Sequence, residues 1–449
     1  LKKYLRLAIY TLLALVLTTV VAVALIVRFA LAPSAGEWSE RVRILGPLEV
    51  ELGMPTVLRL VTVSWFGPWL AGYSVDTRFG PVLLDWESAS GSLQMNCSPC
   101  HWDQPALGDK PVQLKSLAIT ARRDVDLITG TLRATPAGSR ASGGAADLRG
   151  RWTGRLSQKG LAMTFDLASA PIAQWYQVLA PTLPELQRAR ISGTATAQAR
   201  LSLPEYSYGV TPRLTDFSVE GLDVQRLLQS RAAACAPATS LPEGSWVAKA
   251  AVGALDPEYH DHAGYRPASL AVASDAAASA PVADKPPKGK GKRPQPPKAA
   301  APAATAEQEA PPTLDERVVR LLLTPLPRAG EQRLRELLYV AELEHTLGKT
   351  GVLDRYLEMA PWGSGLCGAE AAARHYFKRG ANGLAPAQAV WLATLLDDPA
   401  GRVARWQADG RIDRERARQV VQGMQNINGG QRAALYSGLS GARFAAPAP

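Results

Sequence analysis

The apolar residues of this 449-residue chain change their spacing once, and that change limits the folds open to it. Over 42–204 they alternate with polar residues in short runs broken by Gly, Pro and Asp. Examples are VLRLVTVSW (57–65), PVLLDW (81–86), LKSLAITA (114–121), DLITGTLRAT (126–135), LAMTFDLA (161–168) and ISGTATAQARLSL (191–203). A period of two, carried by Thr, Val and Leu, sends side chains to alternate faces and predicts antiparallel strands. Two short helical pieces are expected among them, at 171–179 and 183–188. After Thr313 the spacing becomes three and four, in RLRELLYVAELEHTL (333–347), GVLDRYLEMA (351–360), AEAAARHYF (369–377), APAQAVWLATLL (385–396) and 411–424. That spacing gives each helix one apolar stripe and predicts an all-α domain.

Before the strands, residues 7–27 read LAIYTLLALVLTTVVAVALIV, 21 positions without a charge. As a helix this run is about 31 Å long, enough to cross a bilayer core. Lys2, Lys3 and Arg6 precede it and Arg28 follows it. The positive-inside rule then leaves the N-terminus in the cytoplasm and exports the body. The expectation is a single-pass inner-membrane protein with a periplasmic body. A cleaved signal peptide is the alternative, because Ala30-Leu31-Ala32 resembles a cleavage site.

Charge bears on partners. The net charge is +10, of which the four basic residues around the first apolar run supply +4. Residues 278–312 add six basic and three acidic side chains, which leaves +3 for the rest. No broad basic face is expected, and nucleic acid is excluded as a partner. The same stretch, 278–312, has nine prolines and no aromatic residue, so it reads as a disordered insert that buries no core. The predicted division is a cytoplasmic stub and anchor (1–35), a β-rich domain (36–235), an α-domain interrupted by the insert (240–430) and a C-terminal tail (431–449).

Three stretches carry candidate chemistry. One is continuous over 349–399, with Lys349, Val352, Leu353, Asp354, Tyr356 and Leu357, then Trp362-Gly363-x-Gly365, then Gly368-x-x-Ala371-Ala372-x-x-x-Tyr376-Phe377. A second is Leu255-Asp256-x-x-Tyr259-x-x-His262-x-Gly264. A third is Gln332-Arg333-Leu334-Arg335-Glu336. Together they resemble the family 51 glycosyltransferases, the peptidoglycan transglycosylases that polymerise lipid II. The resemblance covers about 240–430. It implies a mainly α, lysozyme-like fold, an undecaprenyl-linked disaccharide-peptide substrate, and inverting glycosyl transfer.

Departures from the family pattern fall on its chemistry. The first motif opens on a glutamate that takes the proton from the acceptor hydroxyl. A carboxylate is needed there because a neutral alcohol is a poor nucleophile. Leu255 occupies that position. Asp354 and Glu358 stand where Glu and Asn are usual, and the polar second motif is eroded in PTLDERV (312–318). The resemblance leaves Glu336 as one catalytic carboxylate. Glu258, three residues after Leu255, is a candidate replacement, since a helix would bring it to the same face. Asp256, His262, Gly264, Arg333, Arg335, Lys349, Asp354 and Tyr356 become the substrate-binding candidates. Basic side chains suit a diphosphate through charge-assisted hydrogen bonds.

Three function classes stay open. They are a degenerate domain that binds lipid II or glycan without polymerising it, an active enzyme with a relocated base, and a non-enzymatic envelope scaffold. No resident cofactor is expected, although a divalent metal could accompany the diphosphate. His260 and His262 with Asp256 and Glu258 do not read as a metal site, because i and i+2 diverge on a helix. The β-rich stretch resembles, in style only, the envelope domains of AsmA and TamB-type proteins. Cys97-Ser98-Pro99-Cys100-His101 fits the spacing of a c-type haem attachment, but no helical cytochrome pattern surrounds it, and a disulfide at a hairpin is the preferred reading. Cys235 and Cys367 are free or paired.

Overall fold

The computed structural model describes residues 10, 12–19, 21, 31–45, 48–102, 111–137, 147–232, 235, 241–242, 244–266, 272–274, 311–323, 330–363, 365–409 and 413–441. A hairpin of β1 (Ser39–Leu45) and β2 (Leu48–Gly53) comes first. An 11-stranded antiparallel sheet follows. Its strands are β3 (Ser74–Thr77), β4 (Gly80–Glu87), β5 (Ser92–Cys97), β6 (Cys100–Trp102), β7 (Val112–Asp124), β8 (Leu127–Pro136), β9 (Leu148–Leu156), β10 (Leu161–Pro171), β11 (Arg190–Leu203), β12 (Ser207–Glu220) and β13 (Val272–Ser274). They run in the order β13-β12-β11-β10-β9-β8-β7-β5-β4-β3, with β6 paired to β7. Apart from β6 and β13 this is a meander, the arrangement short hairpin turns favour.

Alternation sets the two faces of the sheet. In β9 the residues Leu148, Gly150, Trp152, Gly154 and Leu156 are buried and the four between them are exposed. The Trp152 indole reaches across Gly130 and donates to the Thr120 carbonyl at 2.9 Å. A Cβ at Gly130 would sit 1.8 Å from that oxygen and 2.6 Å from the indole nitrogen, so the crossing requires glycine. Trp152 also stacks on Phe165 across the strand pair.

One expected strand is a helix. Residues 57–65 lie in α1 (Met54–Val61) and the turns after it. Pro55 fits the first turn of a helix, and Met54, Leu58 and Val61 turn a three-and-four stripe onto the Trp38, Leu93 and Trp152 cluster. A short apolar run fits either period, and packing decided it.

The remaining helices are α2 (Ile172–Leu179), α3 (Val224–Ala232), α4 (Trp246–Leu255), α5 (Leu314–Leu322), α6 (Gly330–Met359, broken at Gly348), α7 (Ala369–Phe377), α8 (Pro386–Ala393), α9 (Pro399–Asp409), α10 (Arg414–Gly423) and α11 (Gly429–Gly441). Sheet and helices share one core, in which Ile172, Tyr176, Val219 and Leu222 pack with Leu338, Leu343 and Trp391. Polar contacts seal the junction on α6. Tyr176 Oη donates to the Leu334 carbonyl (2.9 Å), and buried Glu342 accepts the N–H groups of Leu222 (2.7 Å) and Val224 (3.4 Å).

The membrane-spanning helix expected at 7–27 is corrected. No helix among the described residues is long and apolar enough to cross a membrane. Within that run the described helical stretch is Leu12–Thr19, about 12 Å of helix against the ~30 Å a bilayer core requires. The other positions, apart from Tyr10 and Val21, lie outside the described residues. The single-pass inner-membrane localisation rested on that helix and falls with it. What stands of the expected fold class is an antiparallel β-rich part and a helical C-terminal part. The Pro-rich insert lies outside the described residues except for Pro311 and Pro312.

Candidate functional site

Helix α4 starts at Ser245, whose Oγ accepts the Ala248 N–H at 3.2 Å, and ends at Leu255. The next residue, Asp256, has no exposed surface. Three donors converge on it: His262 Nε2 at 3.0 Å, the Leu314 N–H at 2.9 Å, and the Arg266 guanidinium. Burial works against its charge, but the His262 and Leu314 hydrogen bonds and the Arg266 charge outweigh it and hold the carboxyl below its ordinary range. The Gly264 N–H donates to His262 Nδ1 at 3.1 Å. With an N–H donor at Nδ1, the ring directs its Nε2 hydrogen at Asp256.

The same turn is locked to the start of α5. Thr313 caps the helix, accepting the Glu316 N–H (3.1 Å) while the Glu316 carboxylate accepts the Thr313 N–H (2.9 Å). The Thr313 hydroxyl donates to the Gly264 carbonyl at 2.6 Å. Gly264 has φ +81°, and a Cβ there would lie 2.9 Å from Val340 and 3.2 Å from Asp315 Oδ1. Only glycine suits both the backbone and the space.

Asp315, also without exposed surface, lies 3.3 Å from Lys349 Nζ. Lys349 Nζ is 3.3 Å from Glu344 as well, an ion-pair contact lacking hydrogen-bond alignment, and 4.5 Å from the centre of the Tyr259 ring. The Tyr259 hydroxyl donates to the Lys349 carbonyl at 2.6 Å. Burial pushes the Asp315 carboxyl up to about 7. Lys349 opposes that shift, and the neighbouring Glu344 carboxyl reinforces it.

Arg266 links this cluster to its surroundings. It binds Asp256, donates to the Pro311 carbonyl (2.7 Å) and lies 3.7 Å from Glu258, whose side chain is 71% exposed. Glu336, on α6, is buried and accepts from Gln332 (3.0 Å) and Arg320 (3.2 Å). The Glu316 carboxyl is raised chiefly by burial, then held back by the Thr313 N–H and Arg320, with the Glu336 charge adding to the rise.

The structure thus brings Asp256, His262, Gly264 and Lys349 around the start of α5, and reaches Glu258 and Glu336 through arginines. It sends other candidates elsewhere. Arg335 pairs with Glu185 at 3.0 Å across the junction with the sheet. Asp354 accepts the Leu241 N–H at 3.2 Å. Tyr356 is buried, which pushes its hydroxyl up to about 12, and Arg333 is exposed. Leu255 is 4% exposed within the main core. Sequence reasoning missed Arg266, Asp315, Glu316 and Glu344. The Thr-x-x-Glu of a capping box at 313–316 was the available signal for two of them.

Beside the cluster is a cavity of about 240 Å³ lined by Lys249, Val252, His260, Leu353, Gln425 and Asn426. Among the described residues no group of three His, Cys, Asp or Glu could hold a metal ion. Cys97 and Cys100 are joined to each other, which leaves neither thiol for a thioether to haem, and Cys235 is joined to Cys367.

Residues 300–425 match the transglycosylase family. The match falls within the helical part of this chain, which is transglycosylase-like. Among its relatives, the biosynthetic peptidoglycan transglycosylase of Nitrosomonas europaea is 39% identical over 87 residues, 19% of this chain and 36% of that protein. The protein of the same name from Methylobacillus flagellatus is 33% identical over 104 residues, 23% of this chain and 45% of that protein. That of Bordetella pertussis is 37% identical over 87 residues, 19% of this chain and 36% of that protein. The chain therefore spans between a third and a half of these relatives. Transglycosylase likeness at residues 300–425 takes in Asp315, Glu336 and Lys349, whereas the turn from Leu255 to Gly264 lies before it.

Proposed function

We propose that the transglycosylase-like domain binds lipid II, or the glycan strand built from it, and does not polymerise it. The observation that carries this is Leu255, an apolar side chain buried in the core where the resemblance calls for a proton-accepting carboxylate. Two features support it. Asp256, the adjacent carboxylate, is enclosed by three donors and held ionised, so it is a poor base. Lys349, which the resemblance would assign to substrate, already faces two carboxylates. Recognition remains open to the cavity beside the cluster, where Lys249 and His260 offer donors to an anionic group.

The test is incubation of the purified chain with labelled lipid II, reading retention and polymer separately. Retention without polymer is expected; polymer formation by the wild type would sink the proposal. One observation favours the active alternative: Glu258 is exposed and sits beside Arg266, as an accessible replacement base would. If polymer does form, Glu258→Gln and Glu336→Gln identify its source, each abolishing the product if it is catalytic.

A further inference from the structure

Net charge concealed a sorted surface. The strand register puts Arg122 (β7), Arg149, Arg151 and Arg155 (β9), Arg200 (β11) and Arg213 (β12) on one side of the sheet, all exposed. Among the described residues none of these six has a carboxylate within 4 Å. Arg133, on the same face of β8, reaches Asp147 at 3.6 Å and lies directly opposite Arg149. Like charges placed opposite each other in a sheet are destabilising, and among the described residues a carboxylate offsets Arg133 alone of this pair. The exposed carboxylates on β7–β12 are Asp124, Asp166, Asp216 and Glu220, the last two at the end of β12 nearest the helices; Asp166 opposes Arg151 and accepts from Gln198 at 3.1 Å. Between the arginines run hydroxyls, as in the cross-strand row Arg122–Thr129–Thr153–Thr164–Arg200. The opposite face carries the apolar core of the sheet.

We propose that this face is a docking surface for a flexible anionic glycan. Charge complementarity calls for a polyanion, because exposed guanidiniums at strand spacing, about 4.8 Å across and about 6.7 Å along, match repeating phosphate or carboxylate groups. Sheet twist argues against a flat partner. At roughly 20–25° per strand, the five steps from β7 to β12 turn the face through about 100° or more, which a planar bilayer cannot follow and a flexible chain can. The interleaved threonines favour a glycan over bare polyphosphate, since their hydroxyls pair with sugar hydroxyls. This inference is independent of the proposed lipid II recognition, which involves the other domain.

The test uses the full chain with dextran sulfate as probe. Neutral dextran, polyphosphate, a single-stranded oligodeoxynucleotide and anionic phospholipid vesicles are the comparison arms. Salt-sensitive binding of dextran sulfate is expected, weakened about tenfold by Arg149→Thr/Arg151→Thr/Arg155→Thr. The same charge loss by Arg379→Gln/Arg414→Gln/Arg418→Gln, on the helical domain, is expected to leave it unchanged. Arg200→Thr/Arg213→Thr gives a second, independent reading on β11 and β12 should the triple variant fail to fold. No binding of dextran sulfate, equal weakening by the helical-domain variant, or tighter binding of the oligonucleotide, polyphosphate or vesicles would overturn the proposal.

Discussion

Two buried aspartates that meet at the Gly264 turn, one from each side of the Pro-rich insert, are pushed toward opposite charge states. Asp256 collects donors and stays ionised, whereas Asp315 is buried beside a second carboxyl and holds a proton up to about pH 7. The consequences fall in separate pH windows. For Asp256 the folded-state pKa is depressed, so its stabilising contribution exists above the unfolded value of about 3.9 and is lost as pH falls through the folded one. For Asp315 the folded-state pKa is raised. Its contribution is complete below about pH 4 and is lost as pH rises through about 7, because the unfolded chain gives up a proton that the folded chain keeps. Asp315→Asn removes that titration. Urea midpoints at pH 4.5, 6 and 7.5 are expected to show the variant gaining on the wild type as pH rises. Parallel loss in both proteins would mean that the proton resides elsewhere.

At the scale of elements, α5 shows what the sequence could and could not reveal. Its capping box is written in four consecutive residues, Thr313 to Glu316, and was legible in principle. What it caps was not, since the Leu314 N–H meets Asp256 from across a 58-residue separation that includes the Pro-rich insert. Long strands and the 349–399 helices were readable because each satisfies its own local period. The 57–65 run was misread because it satisfies two. The basic face escaped because alternation sorts arginines by position, and a sum over the chain discards position. Thr313→Ala tests the element directly. It removes the cap and the hydroxyl donated to Gly264, and a cost of about 1–2 kcal/mol is expected in urea unfolding. Thr313→Ser, which keeps both bonds, should recover most of it. A wild-type midpoint for the alanine variant would show that α5 does not depend on its cap.

The whole molecule is held together by contacts no local pattern announces. Glu342 bonds two amides that start the segment leaving the sheet, Arg335 serves Glu185 and not a substrate, and one apolar core crosses the junction. The two disulfides differ in what they add to this. Cys97 and Cys100 are three residues apart, so their link restricts the unfolded chain little. Cys235, just beyond α3, and Cys367, just before α7, are 132 residues apart. In the chain-entropy account a loop of that length stabilises by close to 5 kcal/mol, against about 2 for the short one. Cys235→Ser/Cys367→Ser is therefore expected to lower the urea midpoint well beyond Cys97→Ser/Cys100→Ser. Unfolding should remain a single transition, because the shared core and the Glu342 bonds still couple sheet to helices. Hydrogen exchange on β11, β12 and α6 checks the coupling. If the amides of the sheet open while those of α6 stay protected, the disulfide and not the core was joining the two parts.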